Sequence, residues 1–159
     1  MIRYWIFAGL CCIACSAFAD DGVVLSPEEA IKVAHQCSRI SPGPLQGTWQ
    51  PTASQIKKLE MELPAEFRRA SQAQTRFLEI RNLTEEESEL RLAHYVRQYA
   101  GLTVGKRNII YVNAVQIEPA EKPWRTKAVL ICDGGPSAFG VEYNPSTGAF
   151  SNFAFNGAI

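Results

Sequence analysis

The sequence predicts an α+β fold: N-terminal helices packed on one face of a four- to five-stranded antiparallel meander sheet, with one disulfide tying the layers together. Three observations predict it. Apolar residues recur at helical spacing in the first half of the chain and alternate, or run continuously, in the second. Charge follows the same division: residues 52 to 99 carry eight basic and eight acidic side chains, whereas 128 to 159 carry only Asp133 and Glu142. The charged stretch reads as solvated helix surface and the uncharged one as buried sheet. Finally, Cys37 and Cys132 stand one in each half. Helices followed by strands is the order of an α+β layer fold.

Taken in order, Ser26-Pro27-Glu28-Glu29 is a helix start. Ser26 can accept from first-turn amides, Pro27 loses no hydrogen bond at the first helical position, and Glu29 stands where a capping box needs it. Ala30, Val33, Ala34 and Cys37 then share one face, so Cys37 is expected to point inward from the last turn. Ser41 to Pro51 form a loop with three prolines, two glycines and Trp49 as an apolar anchor. Thr52 opens a second helix, with Gln55 in the capping-box position and Ile56, Leu59 and Leu63 as its stripe. Pro64 is expected to break or offset it, with a further helical piece from Ala65 to about Ser71. Residues 72 to 82 fit either helix or strand. Thr84 to Glu87 form another capping box with an acidic first turn.

Strands are expected from about Arg91, although Leu92, Val96 and Tyr99 also fit helical spacing. Gly105-Lys106 makes a two-residue hairpin turn, followed by the β-branched and aromatic run Ile109 to Val115. Residues 118 to 123 are a polar loop. Ala128 to Cys132 is apolar on both faces, the pattern of a central covered strand. Phe139, Val141 and Tyr143 alternate along the next strand, Asn144 to Gly148 is a turn, and Ala149 to Phe155 returns as its partner.

Residues 1 to 19 read as a secretory signal peptide: Arg3, an uncharged apolar run from Ile6 to Ala17, and the small-x-small site Ala17-Phe18-Ala19. Cleavage near Ala19 leaves residues 20 to 159 as a single small α+β domain in the periplasm or outside the cell. The alternative, a lipid anchor on Cys15, is less favoured because Cys12 stands where lipoprotein signals usually carry Leu. The run is short for a bilayer span, and the mature chain shows no transmembrane segment. Cleavage reduces five cysteines to Cys37 and Cys132, which in an oxidising compartment are expected to pair. Asn82-Leu83-Thr84 would be a glycosylation sequon in a eukaryotic pathway.

The whole chain holds 16 basic and 16 acidic side chains; losing Arg3 leaves 15 against 16, a net charge of −1. That excludes the basic excess on which non-specific nucleic-acid binding depends. Candidate chemistry is thin. Cys132 at a strand end, with His35 or His94, supplies nucleophile and base types without a local signature, and a disulfide explains the same sulfur. Two distant histidines without metal-ligand spacing call for no zinc, and no cofactor is implied. Glu85 to Glu87 and Glu89 read as a solvated helix start. Ser137, behind Pro136, lacks a nucleophile-elbow motif. Phe139, Tyr143, Phe150, Phe153 and Phe155 read as core.

The best functional lead is an aromatic and basic rim. Tyr95, Arg97, Tyr99, Arg107, Trp124 and Arg125, with Lys106 and Tyr111 beside them, are residue types enriched in binding hot spots. The expectation is an exported, non-catalytic protein-binding domain of inhibitor, immunity or envelope-accessory type, its partner another protein in the envelope or outside the cell. The first alternative is a small exported hydrolase using Asp133, His94 and Ser137. The second is a structural or lipid-anchored envelope subunit.

Overall fold

The computed structural model describes residues 22–39, 42–74, 76–117 and 123–157. The expected leader and Cys15 lie outside them. The elements run β1 (Gly22–Val24), α1 (Pro27–Val33), β2 (Leu45–Thr48), α2 (Ala53–Ala73), α3 (Glu85–Leu92), β3 (Val96–Val104), β4 (Arg107–Val115), β5 (Ala138–Asn144) and β6 (Ala149–Phe155). Short 3-10 turns at Leu78–Ile80 and Gly135–Ser137 join them. The class is α+β, as the sequence predicts.

The helix starts follow the local code. At α2, Gln55 N–H donates to Thr52 Oγ1 (3.3 Å) while the Thr52 amide donates to Gln55 Oε1 (2.8 Å). Thr84 and Glu87 make the same reciprocal pair at α3. At α1 only half of the expected box forms. The Glu29 amide donates to Ser26 Oγ, but the Glu29 carboxylate turns away to Lys32, Lys127 and the Ala128 amide. That helix ends at Val33, so Cys37 lies beyond it and is exposed rather than inward-facing.

Pro64 does not break α2, which runs through it for 21 residues. A helix-interior proline costs about 3 kcal/mol. The capping box and the burial of Leu59, Leu63 and Phe67 on one stripe offset that cost.

The sheet has six strands. The order β1-β3-β4-β5-β6 keeps the last four in chain sequence and antiparallel, and β2 also pairs with β3. β1 is parallel to β3 at Arg97–Tyr99, and β2 is antiparallel to it at Leu102–Val104, so two short strands share one edge of β3. Between them the Trp49 amide donates to the Gly101 carbonyl (3.0 Å). A Cβ at Gly101 would collide with the Trp49 backbone, so this close approach depends on glycine. The β3–β4 turn has positive φ at both Gly105 (52°) and Lys106 (69°), the conformation of a type I′ hairpin.

The expectation of helices on one face needs correction. Side chains alternate across a strand. Leu59, Leu63 and Phe67 of α2, with Leu92 of α3, pack on Tyr99, Ile110, Val112, Phe139 and Val141. Ala30 and Val33 of α1, with Ala34, pack on Ala100, Leu102, Ile109 and Tyr111, which point the other way. The centre of the sheet is therefore covered on both sides.

Ala128–Cys132 is not a strand. It crosses the α1 side of the sheet as irregular chain, and Leu130 is exposed. Its backbone groups find side-chain partners instead of a ladder. Val129 N–H donates to Gln98 Oε1 (2.9 Å), and Asn113 Nδ2 donates to the Val129 carbonyl (2.9 Å). The expected Cys37–Cys132 disulfide is present, with a Cα–Cα distance of 5.6 Å. It joins the loop after α1 to this segment rather than a helix to a strand.

Candidate functional site

The predicted aromatic and basic rim is not one surface. Tyr95, Arg97, Tyr99 and Trp124 are all buried. The Tyr95 hydroxyl donates to the Pro136 carbonyl, and desolvation pushes its pKa up. Arg97 donates to the carbonyls of Leu92 (2.8 Å) and Tyr95 (2.9 Å) and pairs with Glu60 of α2 (3.1 Å). The Tyr99 hydroxyl donates to Glu60 Oε1 (2.6 Å). These residues anchor α2 to the sheet. Arg107 is exposed at the opposite end of the β3–β4 hairpin, and Arg125 is exposed with its guanidinium 4.3 Å above the Trp124 ring.

Two of the hydrolase candidates hydrogen-bond to close neighbours. Asp133 accepts from Ser38 Oγ (3.3 Å) and its amide donates to the same oxygen (2.8 Å). The Ser137 hydroxyl donates to the Gly134 carbonyl (2.6 Å). Among the described residues, no hydrogen bond or ion pair joins His94 to either. No group of three or more His, Cys, Asp or Glu side chains among the described residues is placed to hold a metal.

His94 instead lies in a surface groove of about 500 Å³ beside α3, with Arg81, Leu83, Glu87, Leu90 and Arg91. Leu90 is 60 % exposed. The rim around it is fixed: Glu87 is held in the Thr84 capping box, and Arg91 Nη2 donates to the Glu79 carbonyl (2.7 Å). Hydrogen bonding to the Thr84 amide and hydroxyl holds the Glu87 pKa below its ordinary value. An apolar side chain set among charges of both signs on a braced helix suits docking of another macromolecule.

Sequence reasoning missed a second polar centre on the α1 side of the sheet. Gln98 and Asn113 face each other across β3 and β4 and are fully buried. Asn113 Oδ1 accepts from Arg39 Nη2 (2.6 Å) and Gln36 Nε2 (3.2 Å), and its amide donates to Gln98 Oε1 (3.0 Å). Gln98 Nε2 donates to the carbonyls of Trp124 and Lys127, each at 2.6 Å. The network fastens the segment 123–132 and the loop 36–39 to the sheet. Its sequence signal is an amide side chain followed by Tyr99 and Ala100 in β3 and another between Val112 and Ala114 in β4.

Glu29 closes the other end of this layer. Lys32, the Ala128 amide and Lys127 surround its carboxylate and lower its pKa to about 2. A depressed carboxylate pKa stabilises the fold above the ordinary value and loses that contribution as pH falls toward the folded-state value. The stabilisation from Glu29 is therefore expected to disappear between about pH 4.5 and 2. Glu29→Gln should flatten the melting temperature against pH in that window while leaving its shape above pH 5 unchanged; an identical acid limb in both proteins would refute the assignment.

No helix among the described residues is long and apolar enough to cross a membrane. No protein-family model, curated protein or solved structure matches the chain.

Proposed function

We infer that the chain acts as a non-catalytic protein-binding domain of inhibitor, immunity or envelope-accessory type, exported to the periplasm or the outside of the cell. The observation that carries this reading is the α3 groove, where exposed Leu90 stands among Arg81, Glu87, Arg91 and His94. A central apolar anchor inside a charged ring is the arrangement from which protein interfaces draw affinity and orientation. The Cys37–Cys132 bond, with both residues exposed, supports an oxidising compartment.

Affinity capture from an envelope extract tests the reading, with wild type, Leu90→Asp and His94→Ala as baits. An exposed substitution of this kind shifts stability by only about 0.5 kcal/mol. Wild type is expected to retain a stoichiometric partner, and Leu90→Asp to weaken it by about tenfold or more, the effect of losing about 1.4 kcal/mol. Equal retention by Leu90→Asp, or no partner above an unrelated exported domain, overturns it. Arg97 and Trp124 are unsuitable probes, because their substitution would disturb the core.

A further inference from the structure

The Cys37–Cys132 bond joins two segments that are held unequally. The Cys132 side is braced. Gln98 and Asn113 hold Val129, Asn156 Nδ2 donates to the Ile131 carbonyl, and the Gly135 amide donates to the Gly157 carbonyl (3.0 Å). The Cys37 side is a loop between α1 and β2, outside any helix or strand. This loop is buried at a cost. Arg39 is 8 % exposed, and its Nη2 donates to Asn113 Oδ1 (2.6 Å). Its Nε and Nη1 have no hydrogen-bond partner, and no ion pair reaches the guanidinium among the described residues. Gln36 Oε1 is likewise buried and unpartnered. A buried charge that is incompletely bonded, and a buried acceptor left unsatisfied, both oppose the fold.

The neighbourhood offers no relief in place. Arg39 Nη1 and the Tyr111 hydroxyl already fill the space over Gly140, where a Cβ would strike both. The guanidinium satisfies its remaining nitrogens only by leaving for water. Asp133, next to Cys132, adds a backbone cost, with φ at 57°. Its amide donates to Ser38 Oγ (2.8 Å), and Ser38 Oγ donates back to its carboxylate (3.3 Å). The loop therefore stays down on a few polar contacts and one covalent bond.

We propose that the disulfide is a thiol-operated latch on loop 36–39. The oxidised bond keeps Arg39 against the sheet. Reduction releases the loop, and Arg39 and Gln36 swing into water while the braced segment and the sheet stay in place. Both cysteines are exposed, so a dithiol reaches the bond, and exposed disulfides are the labile ones. A reductant thiolate attacks one cysteine sulfur and expels the other as thiolate. The reductant's second thiol then resolves the mixed disulfide. The protein gains two electrons and two protons as two cysteine thiols, and the reductant leaves as its cyclic disulfide. The latch is independent of the α3 groove.

Limited trypsin digestion of the oxidised and the dithiothreitol-reduced protein, read by mass spectrometry, tests it. The Arg39 side chain must leave the fold before the bond after it is cut. Reduction is expected to speed that cleavage by about tenfold or more, because cleavage follows the population of the open form. The β3–β4 amides should meanwhile keep their protection from hydrogen exchange, while the Asp133 amide, freed from Ser38, exchanges faster. Arg39→Met removes the charge and keeps most of the bulk, so in the reduced variant the Asp133 amide should stay nearer its oxidised rate. An unchanged cleavage rate at Arg39, with both thiols shown free by labelling, overturns the proposal. So does a bond that resists dithiothreitol while the sheet is folded, or loss of β3–β4 protection together with opening at Arg39. Equal Asp133 exchange in reduced wild type and reduced, folded Arg39→Met overturns it as well; the wild-type results decide alone if the variant does not fold.

Discussion

Replacing both Cys37 and Cys132 with alanine is expected to lower the unfolding free energy by about 4–5 kcal/mol. The two positions are 95 residues apart in sequence, so the bond removes much of the freedom of the unfolded chain. In the native state both residues are exposed, so little packing is lost and the effect arises mainly in the unfolded ensemble. Small domains have a total stability of about 5–15 kcal/mol, so the loss is a large fraction of it. Urea unfolding of the double variant, compared with the oxidised wild type, measures it. A midpoint close to wild type would show that the unfolded chain is already compact without the bond.

Phe67→Ala is the second large effect, expected to cost about 3–5 kcal/mol. The ring is fully buried at the centre of an aromatic cluster. Phe139, Phe155, Tyr95 and Phe153 lie 5.4, 5.8, 6.0 and 6.1 Å from it, mostly edge-on. Removing it leaves a cavity beneath α2 and takes away several ring contacts, each adding about 0.5–1.5 kcal/mol beyond area burial. Phe67→Leu should cost less, because it fills part of the space. Denaturant midpoints for the two variants give the comparison. A loss below about 1.5 kcal/mol for the alanine would mean that neighbouring rings collapse into the gap.

Features governed by neighbours in sequence are readable without coordinates. The capping boxes at Thr52 and Thr84, the Gly105-Lys106 turn and the β5–β6 hairpin all follow from residues within a few positions. The disulfide follows from the cysteine count once a leader over residues 1 to 19 is expected. Features settled across the sheet were harder to read. Ala128–Cys132 has strand composition, but side chains 16 and 31 residues away capture its Val129 backbone groups before any strand does. Pro64 argues locally for a break, and only burial of the α2 stripe against distant strands overrides it. Helix cover on both faces was present as a signal: Ala100, Leu102 and Ile109 face one way, and Ile110 and Val112 the other. The rim failed because hot-spot composition and core composition overlap. Tyr95, Arg97 and Tyr99 alternate onto the α2 side, where Glu60 and backbone carbonyls take up their polar ends. Arg39 carried no periodic signal, since it lies in a loop and is placed by Asn113, 74 residues away.

The shared edge of β3 also sets an order of assembly. β1 and β2 are early in the chain, yet each must wait for β3, whereas the β3–β4 hairpin closes through a two-residue turn. Closing a long loop costs entropy that distant contacts recover only afterwards, so hairpins form ahead of such pairings. A chain delivered N-terminus first therefore presents β1 and Cys37 before anything exists to receive them. Oxidation to Cys132 then acts as a record of completion: the sulfur partner arrives only with the segment that Gln98 and Asn113 hold against the finished hairpin.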